Sequence, residues 1–384
     1  MKNTCNNSEG SQDPEKQPTL VAGGQEAKWE IPTCNVQALL IDSTSDFGNK
    51  LKNQRKKVTQ PPLMKSNTSP VQSFTLVLAS MLMLLEFTNI ASAQTIVQGN
   101  IGGTWTPAGN PYIAVANCTV TSTLILQPGV VFDIESNVTV TANGNLIQAV
   151  GTPTQRITIQ GWPATTNYYN TIYVENETGT NRFKYCDFAN AQTAIMMVVA
   201  ETSSGYNDFA VTMPVEIMNC TFSNCVQEAI YGLAQGQSQG GGFPCFSWYT
   251  TDTLNPVIKN CVFNGTVHGC VINISGQSSY SGSGCRQTST GYGYSYPIIE
   301  ANLFQNLTGN AFLMQVGSYA GAGSSVFINN TMVNCGVGVN ATDPWDATVE
   351  DCVFDGCTNA VMVSGSLSRN IYFHWRLIGL TVDV

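Results

Sequence analysis

The chain has 384 residues, of which 43% are hydrophobic and 11% are charged. This composition is sufficient for a large folded domain and excludes a disordered protein, in which charge dominates over apolar residues. The formal net charge is −9, from 25 acidic and 16 basic residues. An acidic surface repels the phosphates of nucleic acids, so no nucleic-acid partner is expected.

The most hydrophobic segment, residues 74–90, reads FTLVLASMLMLLEFTNI. A lysine precedes it and Ala91-Ser92-Ala93 follows it. A basic start, an apolar stretch and an A-x-A exit are the three parts of a secretory signal peptide. The sequence therefore predicts a signal peptide over residues 64–93. The mature chain is expected to begin at Gln94, to be secreted or displayed at the cell surface, and to have no membrane contact after cleavage.

Residues 1–63 are polar and show no periodic pattern. We interpret them as a non-native extension from a start codon placed too far upstream, or as a disordered segment. The alternative is a cytoplasmic tail, with Lys and Arg clustered over residues 50–57, next to a membrane anchor. An anchor of about 17 residues is barely long enough to span a bilayer, and Glu86 within it is costly.

Six stretches of the remaining chain align with one another, each around one apolar anchor residue. The intervals between successive anchors are 34, 41, 41, 28 and 22 residues. The anchors are Phe188, Phe222, Phe263, Phe304, Met332 and Phe354. A repeat whose shortest unit is in the twenties is typical of a solenoid, in which the longer units carry insertions.

Each repeat alternates apolar with polar residues, is rich in β-branched residues and is punctuated by Asn and Gly, which favours strands over helices. Leucine-rich repeats would need Leu where these units hold Phe, Ile, Val and Cys. The predicted fold class is therefore all-β, a parallel β-helix whose coils stack at about 4.8 Å. We expect it to span residues 94–366, followed by an irregular cap or truncated end over 367–384.

Cysteine and asparagine recur at fixed distances from the anchors. Two residues before them lie Cys186, Cys220, Cys261, Asn302, Asn330 and Cys352, and three residues after them lie Cys225, Cys335 and Cys357. One thiol per level suits small buried side chains, and stacked Asn amides bond along a ladder. A metal site needs several ligands converging on one point. The sequence therefore predicts structural ladders and no metal site.

Several segments upstream of the first anchor carry a more specific resemblance. The segments GNIGGTWTPAGNPYIA, LILQPGVVF, GNLIQAVGT and TIYVEN resemble secreted β-helix repeat proteins of the pectin-lyase-like superfamily, over about Gly99–Val363. The resemblance implies a right-handed, single-stranded parallel β-helix. It implies no single activity, because the superfamily includes lyases, hydrolases, epimerases, adhesins and proteins of no known activity.

The longer repeats carry their additional residues at one phase of the coil, at about 200–214, 234–256, 276–297 and 319–325. Such insertions project from one flank of a solenoid, which is often its binding face. The candidate ligand-binding aromatics in them are Phe246, Trp248, Tyr249, Tyr280, Tyr292, Tyr294, Tyr296 and Tyr319. The alternative is that these rings only pack the insertions against the coil.

Tyr292, Tyr294 and Tyr296 alternate with the period of a strand. An extended backbone would place their rings on one side, about 6.7 Å apart. A flat aromatic face with hydroxyls and amides nearby suits stacking on sugar rings. The favoured hypothesis is a monomeric protein that binds a polysaccharide or a cell-surface glycan.

Cys245 and Cys285 are the two cysteines that lie in the insertions rather than at repeat positions. Both insertions leave the coil at the same phase, one turn apart, and glycines flank both cysteines. These backbones have the freedom to reach the Cα separation of about 4.4–6.8 Å that a disulfide requires. Export supplies an oxidising environment, so a disulfide between them is predicted.

An enzyme is the alternative function. Polysaccharide lyases of the superfamily pair a basic residue with a cation, or with Ca²⁺, that neutralises a uronate. His268 and Arg286 are the candidates, and Val267-His268-Gly269 faintly resembles the Gly-His-Gly of polygalacturonases. The other motifs of those hydrolases are missing. No cofactor is expected unless the chain is a lyase, which would use Ca²⁺.

Inverting glycoside hydrolysis needs two carboxyl groups about 6.5–9.5 Å apart. Asp343 and Asp346 belong to the acidic cluster of this chain and are the candidates. The simpler interpretations are a solvated acidic patch and, for His268, a hydrogen-bonded turn residue with Gln227 at the matching position one coil below. A polysaccharide lyase or glycoside hydrolase, and a structural adhesin or surface protein, therefore remain the alternatives to a glycan-binding protein.

Overall fold

The computed structural model describes residues 94–163, 167–200, 209–237, 248–281, 287–318, 320, 325–342, 348–364 and 372–374. Within these ranges the chain forms strands joined by turns, with a single 3₁₀ turn at Pro107–Gly109. The predicted signal peptide, residues 1–63 and most of the predicted cap lie outside the described residues. No helix in the described part of the chain has the length and apolar character needed to cross a bilayer.

The strands follow one another in a single large sheet system. They are β1 Thr95–Trp105, β2 Tyr112–Leu126, β3 Val131–Glu135, β4 Thr139–Asn143, β5 Ile147–Val150, β6 Ile157–Trp162, β7 Thr171–Glu175, β8 Asn181–Lys184, β9 Cys186–Ala191, β10 Ile195–Val199, β11 Phe209–Met218, β12 Thr221–Cys225, β13 Glu228–Gly236 and β14 Trp248–Lys259. They continue as β15 Val262–Asn264, β16 His268–Ser281, β17 Gln287–Ser295, β18 Ile298–Glu300, β19 Leu303–Gln305, β20 Asn310–Val316, β21 Val326–Ile328, β22 Thr331–Val333, β23 Val337–Thr342, β24 Thr348–Glu350, β25 Val353–Asp355, β26 Asn359–Ser364 and β27 Tyr372–His374.

These strands stack in three columns, and each coil of the chain contributes one strand to each column. The first column runs through β3, β6, β9, β12, β15, β19, β22 and β25, the second through β4, β7, β10, β13, β16, β20, β23 and β26, and the third through β5, β8, β11, β14, β18, β21, β24 and β27. Strands β1 and β2 are long enough to pass through all three.

The stacked strands are parallel, and the antiparallel pairing among the described strands is that of β16 with β17. Connections between parallel strands of one sheet are right-handed as a rule. The fold is therefore the all-β parallel β-helix that the repeat predicted, in the right-handed, single-stranded form that the resemblance implied.

The anchor residues form one continuous stack inside the first column. Phe222 lies opposite Phe188 and Phe263, and the partners above are Phe304, Met332 and Phe354. All six are buried, and the rings of Phe188, Phe222 and Phe263 are stacked with centroids 4.9 Å apart. The predicted repeat alignment is confirmed by this register.

The position two residues before the anchors forms a ladder at the corner between the third and first columns. The Cys261 thiol donates to the carbonyl of Ile217 at 3.6 Å, and the Asn302 amide donates to the carbonyl of Ile258 at 3.0 Å. Asn302 also donates to Oδ1 of Asn330 at 3.0 Å. The described cysteines are free thiols, almost all of them buried, so the predicted structural ladder is confirmed.

Candidate functional site

Strands β11, β14 and β17 extend the third column, because they reach beyond the ends of its other strands. β11 pairs in parallel with β14 along its whole length, and β14 pairs in parallel with β17 from Trp248 opposite Ser289 to Leu254 opposite Ser295. The segments interpreted as insertions in the sequence therefore contain regular strands in register with one another. They form a parallel sheet that continues the surface of the β-helix.

The tyrosines of β17 lie on the outer side of this extension. Tyr292 and Tyr294 are half-buried, while Gly293 and Ser295 between them are buried. Tyr296 follows the strand and is 41% exposed. Because side chains alternate along a strand, the three rings lie on one side at a spacing of about 6.7 Å.

A row of polar side chains lies beside these rings on the adjacent strand β14. Thr251 and Thr253 are opposite Tyr292 and Tyr294, and they are half-buried. The same register continues to Asn255, because the pairing of β14 with β18 keeps the same offset. We define the tyrosine face as the surface formed by Tyr292, Tyr294, Tyr296, Thr251, Thr253 and Asn255.

The tyrosine face contains an unused hydrogen-bond acceptor. The Oδ1 atom of Asn255 is buried and accepts no hydrogen bond within the described residues. Buried polar atoms are normally paired. An ordered water enclosed beside Tyr296 would satisfy this oxygen, which has almost no surface open to a ligand on the face.

Glycines allow β17 to lie directly against the ends of neighbouring strands. A Cβ at Gly293 would stand 2.2 Å from the carbonyl oxygen of Ala234 and 2.3 Å from that of Ser275. The hydroxyl of Ser295 donates to the carbonyl of Leu254 at 2.9 Å. The close approach at Gly293 and the Ser295 hydrogen bond therefore fix the backbone of the strand that carries the tyrosines.

The ionisation of the tyrosines fits a hydrogen-bonding surface. Burial raises the pKa of Tyr294, and the nearby phenols of Tyr296 and Tyr292 raise it further. Tyr294 consequently keeps its proton at physiological pH and can donate as well as accept a hydrogen bond.

The positive charges of the described residues are all engaged in ion pairs. The pairs are Arg156–Asp187 at 2.7 Å, Arg182–Glu216 at 3.2 Å, Lys184–Glu216 at 2.6 Å and Lys259–Glu300 at 2.6 Å. A cation that neutralises a uronate carboxylate must be free to face the substrate. None of these four side chains is free in that sense.

His268 begins β16 at the corner between the first and second columns. The main-chain N–H of Asn310, one coil above, donates to Nδ1 of His268 at 2.9 Å. The ring lies over Gly309, where a Cβ would stand 2.4 Å from Nδ1. The lone pair of Nδ1 is therefore occupied, which agrees with a hydrogen-bonded turn residue.

The structure corrects one detail of the alignment around His268. The residue opposite it one coil below is Glu228, and not Gln227. The corner from Phe222 to Glu228 contains one more residue than the corner from Phe263 to His268. Repeat counting from the anchors could not detect this difference, because both corners have the same kind of sequence.

Several predicted site residues lie outside the described residues. These are Phe246, Tyr319, Arg286, Asp343, Asp346 and both members of the predicted Cys245–Cys285 disulfide. The main chain of Trp248 and Tyr249 lies in β14 and that of Tyr280 in β16, but their side chains are not described. Across the described ranges, no group of three or more His, Cys, Asp or Glu residues could hold a metal ion.

Threonine and asparagine residues of the tyrosine face were not identified in the sequence. The sequence does contain the information needed to find them, because Thr251 precedes Tyr292 by the same interval as Phe263 precedes Phe304. That equality indicates a shared register through the supposed insertions.

Comparisons with known proteins assign no family to this chain. No family profile matches the chain, and no curated protein matches it. A solved structure described as that of a hyperthermoactive exopolygalacturonase from Thermotoga maritima is similar, with 9% sequence identity and a TM-score of 0.24. The alignment covers 77% of this chain and 88% of that chain. The class that the described residues define is a parallel β-helix with an aromatic and hydroxyl-rich face on the third column.

Proposed function

We propose that this protein is a secreted β-helix protein of the pectin-lyase-like superfamily that binds a neutral glycan through the tyrosine face. The observation that carries the proposal is the row of Tyr292, Tyr294 and Tyr296 beside the row of Thr251, Thr253 and Asn255. The tyrosine rings offer apolar faces for the C–H groups of sugars. The neighbouring hydroxyls and amide offer partners for sugar hydroxyls.

The charge distribution favours a neutral glycan over a polyuronate. The chain carries a net charge of −9, and its described Lys and Arg side chains are paired with carboxylates. An acidic protein repels a polyanion unless cations bridge the two. A neutral polymer carries no such penalty and is held by stacking and hydrogen bonds.

The shape of the site also supports binding of a chain rather than of a small molecule. The tyrosine face is the outer surface of an extended parallel sheet, and its residues repeat along and across the strands. Small-molecule sites are concave and enclose most of the ligand. A regular surface presents repeated contacts to a repeating polymer.

The test is affinity electrophoresis of the purified protein in gels that contain neutral or acidic polysaccharides. Tyr294→Ala and Tyr296→Ala should each weaken binding about tenfold, the loss that corresponds to about 1.4 kcal/mol. The matched control is Tyr231→Ala, which removes a half-buried tyrosine of the second column. Equal losses for the control and for the face variants would contradict the proposal.

The same panel distinguishes the alternative functions. Release of reducing ends or unsaturated products would identify a glycoside hydrolase or a polysaccharide lyase. Attachment of cells to the immobilised protein, without retardation in any gel, would identify an adhesin. Retardation by acidic polymers alone would reject the neutral-glycan proposal.

A further inference from the structure

Cys335 and Cys357 occupy the same position in two successive coils, at the corner between the first and second columns. The strands before this corner, β22 and β25, and those after it, β23 and β26, pair with the same residue offset. The main-chain N–H of Thr358 donates to the carbonyl of Cys335 at 3.0 Å, which continues the ladder through the corner. The two cysteines are therefore stacked directly on each other.

Their side chains take equivalent directions. The Cys335 thiol donates to the carbonyl of Phe304 at 3.6 Å, and the Cys357 thiol donates to the carbonyl of Met332 at 3.7 Å. Phe304 and Met332 are themselves partners in register. Adjacent coils lie about 4.8 Å apart, within the Cα separation of about 4.4–6.8 Å that a disulfide accepts.

The two thiols differ in access and in ionisation. Cys335 is buried, whereas Cys357 is partly exposed between the exposed residues Gly356 and Thr358. Contact with the Cys335 sulfur lowers the pKa of Cys357 to about 7, while the same contact raises the pKa of Cys335. The contact therefore favours the thiolate on the accessible member of the pair, and thiolates are the reactive form of cysteine.

We propose that Cys335 and Cys357 are a redox-active dithiol that a small disulfide, such as oxidised glutathione, converts into an intrachain disulfide. The Cys357 thiolate attacks one sulfur of the oxidant, which forms a mixed disulfide and releases one thiolate. The Cys335 thiol loses its proton to that thiolate and attacks Sγ of Cys357, which releases the second thiolate; this thiolate takes up a proton from solvent, which replaces the proton that Cys357 lost to solvent on ionising. Two cysteine thiols are oxidised, and one disulfide is reduced to two thiols.

The chain contains an internal control for this chemistry. Cys186, Cys220 and Cys261 are stacked in the same way at the other corner, as the register of β9, β12 and β15 shows. Their exposed fractions are 0%, 1% and 1%, so no oxidant can reach them in the folded protein. Stacking is thus common to both sets, and access distinguishes Cys357.

The experiment treats the reduced full-length protein with oxidised glutathione at pH 7, followed by alkylation and peptide mapping without reduction. A cross-linked peptide containing Cys335 and Cys357 is expected, with Cys220 still alkylated only after unfolding, and dithiothreitol should reverse the cross-link. Recovery of both cysteines as alkylated free thiols, or equal oxidation of Cys220 in the folded protein, would overturn the proposal.

Two variants separate the roles of the pair. Cys335→Ser keeps a donor beside Cys357 but cannot form the disulfide, so a stable mixed disulfide with glutathione should accumulate on Cys357. Cys335→Ala removes the donor, so half-maximal alkylation of Cys357 should move from about pH 7 towards the ordinary value of about 8.5. The same pH dependence in wild type and in both variants, measured on samples with unchanged circular dichroism, would contradict the assigned pairing.

Discussion

Phe263 and Phe304 lie on successive coils with ring centroids 4.5 Å apart and planes 8° from parallel. Both side chains are fully buried. Stacked aromatic pairs contribute about 0.5–1.5 kcal/mol beyond the burial of their surface. This contact is one step of the anchor stack that holds the first column together.

Truncation of an anchor should destabilise the protein strongly. Phe263→Ala removes a buried ring that packs between Phe222 and Phe304, and the free energy of unfolding should fall by about 3–5 kcal/mol. Urea denaturation followed by circular dichroism measures the change. Phe263→Leu keeps most of the apolar volume and should lose clearly less; equal losses would show that ring packing does not determine this stability.

The amide ladder should be more sensitive to loss of polarity than to loss of volume. Asn302 accepts from the N–H of Cys261 at 2.8 Å and donates to the carbonyl of Ile258 at 3.0 Å. Asn302→Leu removes the acceptor of the Cys261 N–H and one donor to the Ile258 carbonyl, and a buried main-chain group left unpaired costs about 1–3 kcal/mol.

The matched variant at this position is Asn302→Cys, which introduces the residue that other coils use. Its thiol can repeat the contact that Cys261 makes with Ile217, so its loss in the free energy of unfolding should be smaller than that of the leucine variant. A leucine variant as stable as wild type would disprove the role of the ladder.

The position of β17 should depend on the absence of a side chain at Gly293. A Cβ there would meet the carbonyl oxygens of Ala234 and Ser275, so Gly293→Ala must displace the strand. We expect reduced glycan retardation together with lower thermal stability. Gly317→Ala is the control, because the nearest atom to its added Cβ would stand at 3.3 Å; unaltered binding by the Gly293 variant would mean that the strand tolerates the shift.

One ion-pair cluster should contribute stability at neutral pH and lose it in acid. The ammonium group of Lys184, by a hydrogen bond, and the guanidinium group of Arg182 lower the pKa of Glu216 below its ordinary value of 4.5. A carboxyl group with a lowered folded-state pKa stabilises the fold above its unfolded pKa, and this contribution disappears as the pH falls through the folded pKa.

Glu216→Gln should therefore cost about 0.5–1 kcal/mol at pH 7, because the pair is partly exposed. The difference from wild type should shrink below about pH 4, where the native carboxyl group also becomes protonated. Urea denaturation of both proteins at pH 7 and below pH 4 measures this difference in the free energy of unfolding. A difference that does not change with pH would show that the effect is one of packing and not of charge.

The anchors and ladders were predictable because every coil repeats them. A buried position accepts only a few residue types, so Phe222 and Phe263 identify their coils even though insertions separate them. The tyrosines of β17 were recognised for a different reason, because alternation indicates a strand without reference to its neighbours.

Other features depend on relations that single residues do not reveal. The pairing of Thr251 with Tyr292 follows from equal coil lengths and not from the chemistry of either residue. The placement of Glu228 below His268 depends on one additional residue in a corner. The sequence indicates that Cys335 and Cys357 are stacked, but the reactivity of Cys357 follows only from its exposure and its contacts in the folded protein.

The equal spacing of Phe222, Phe263 and Phe304 determines what a duplication within the gene would do to the protein. An in-frame duplication of residues 263–303 would insert one complete coil, in which each anchor again meets an anchor and each strand again meets a strand of the same length. The copied segment would contain Tyr292, Tyr294 and Tyr296. Unequal recombination at this locus would therefore lengthen the tyrosine face by a whole row in a single event, and deletion of the same segment would remove it.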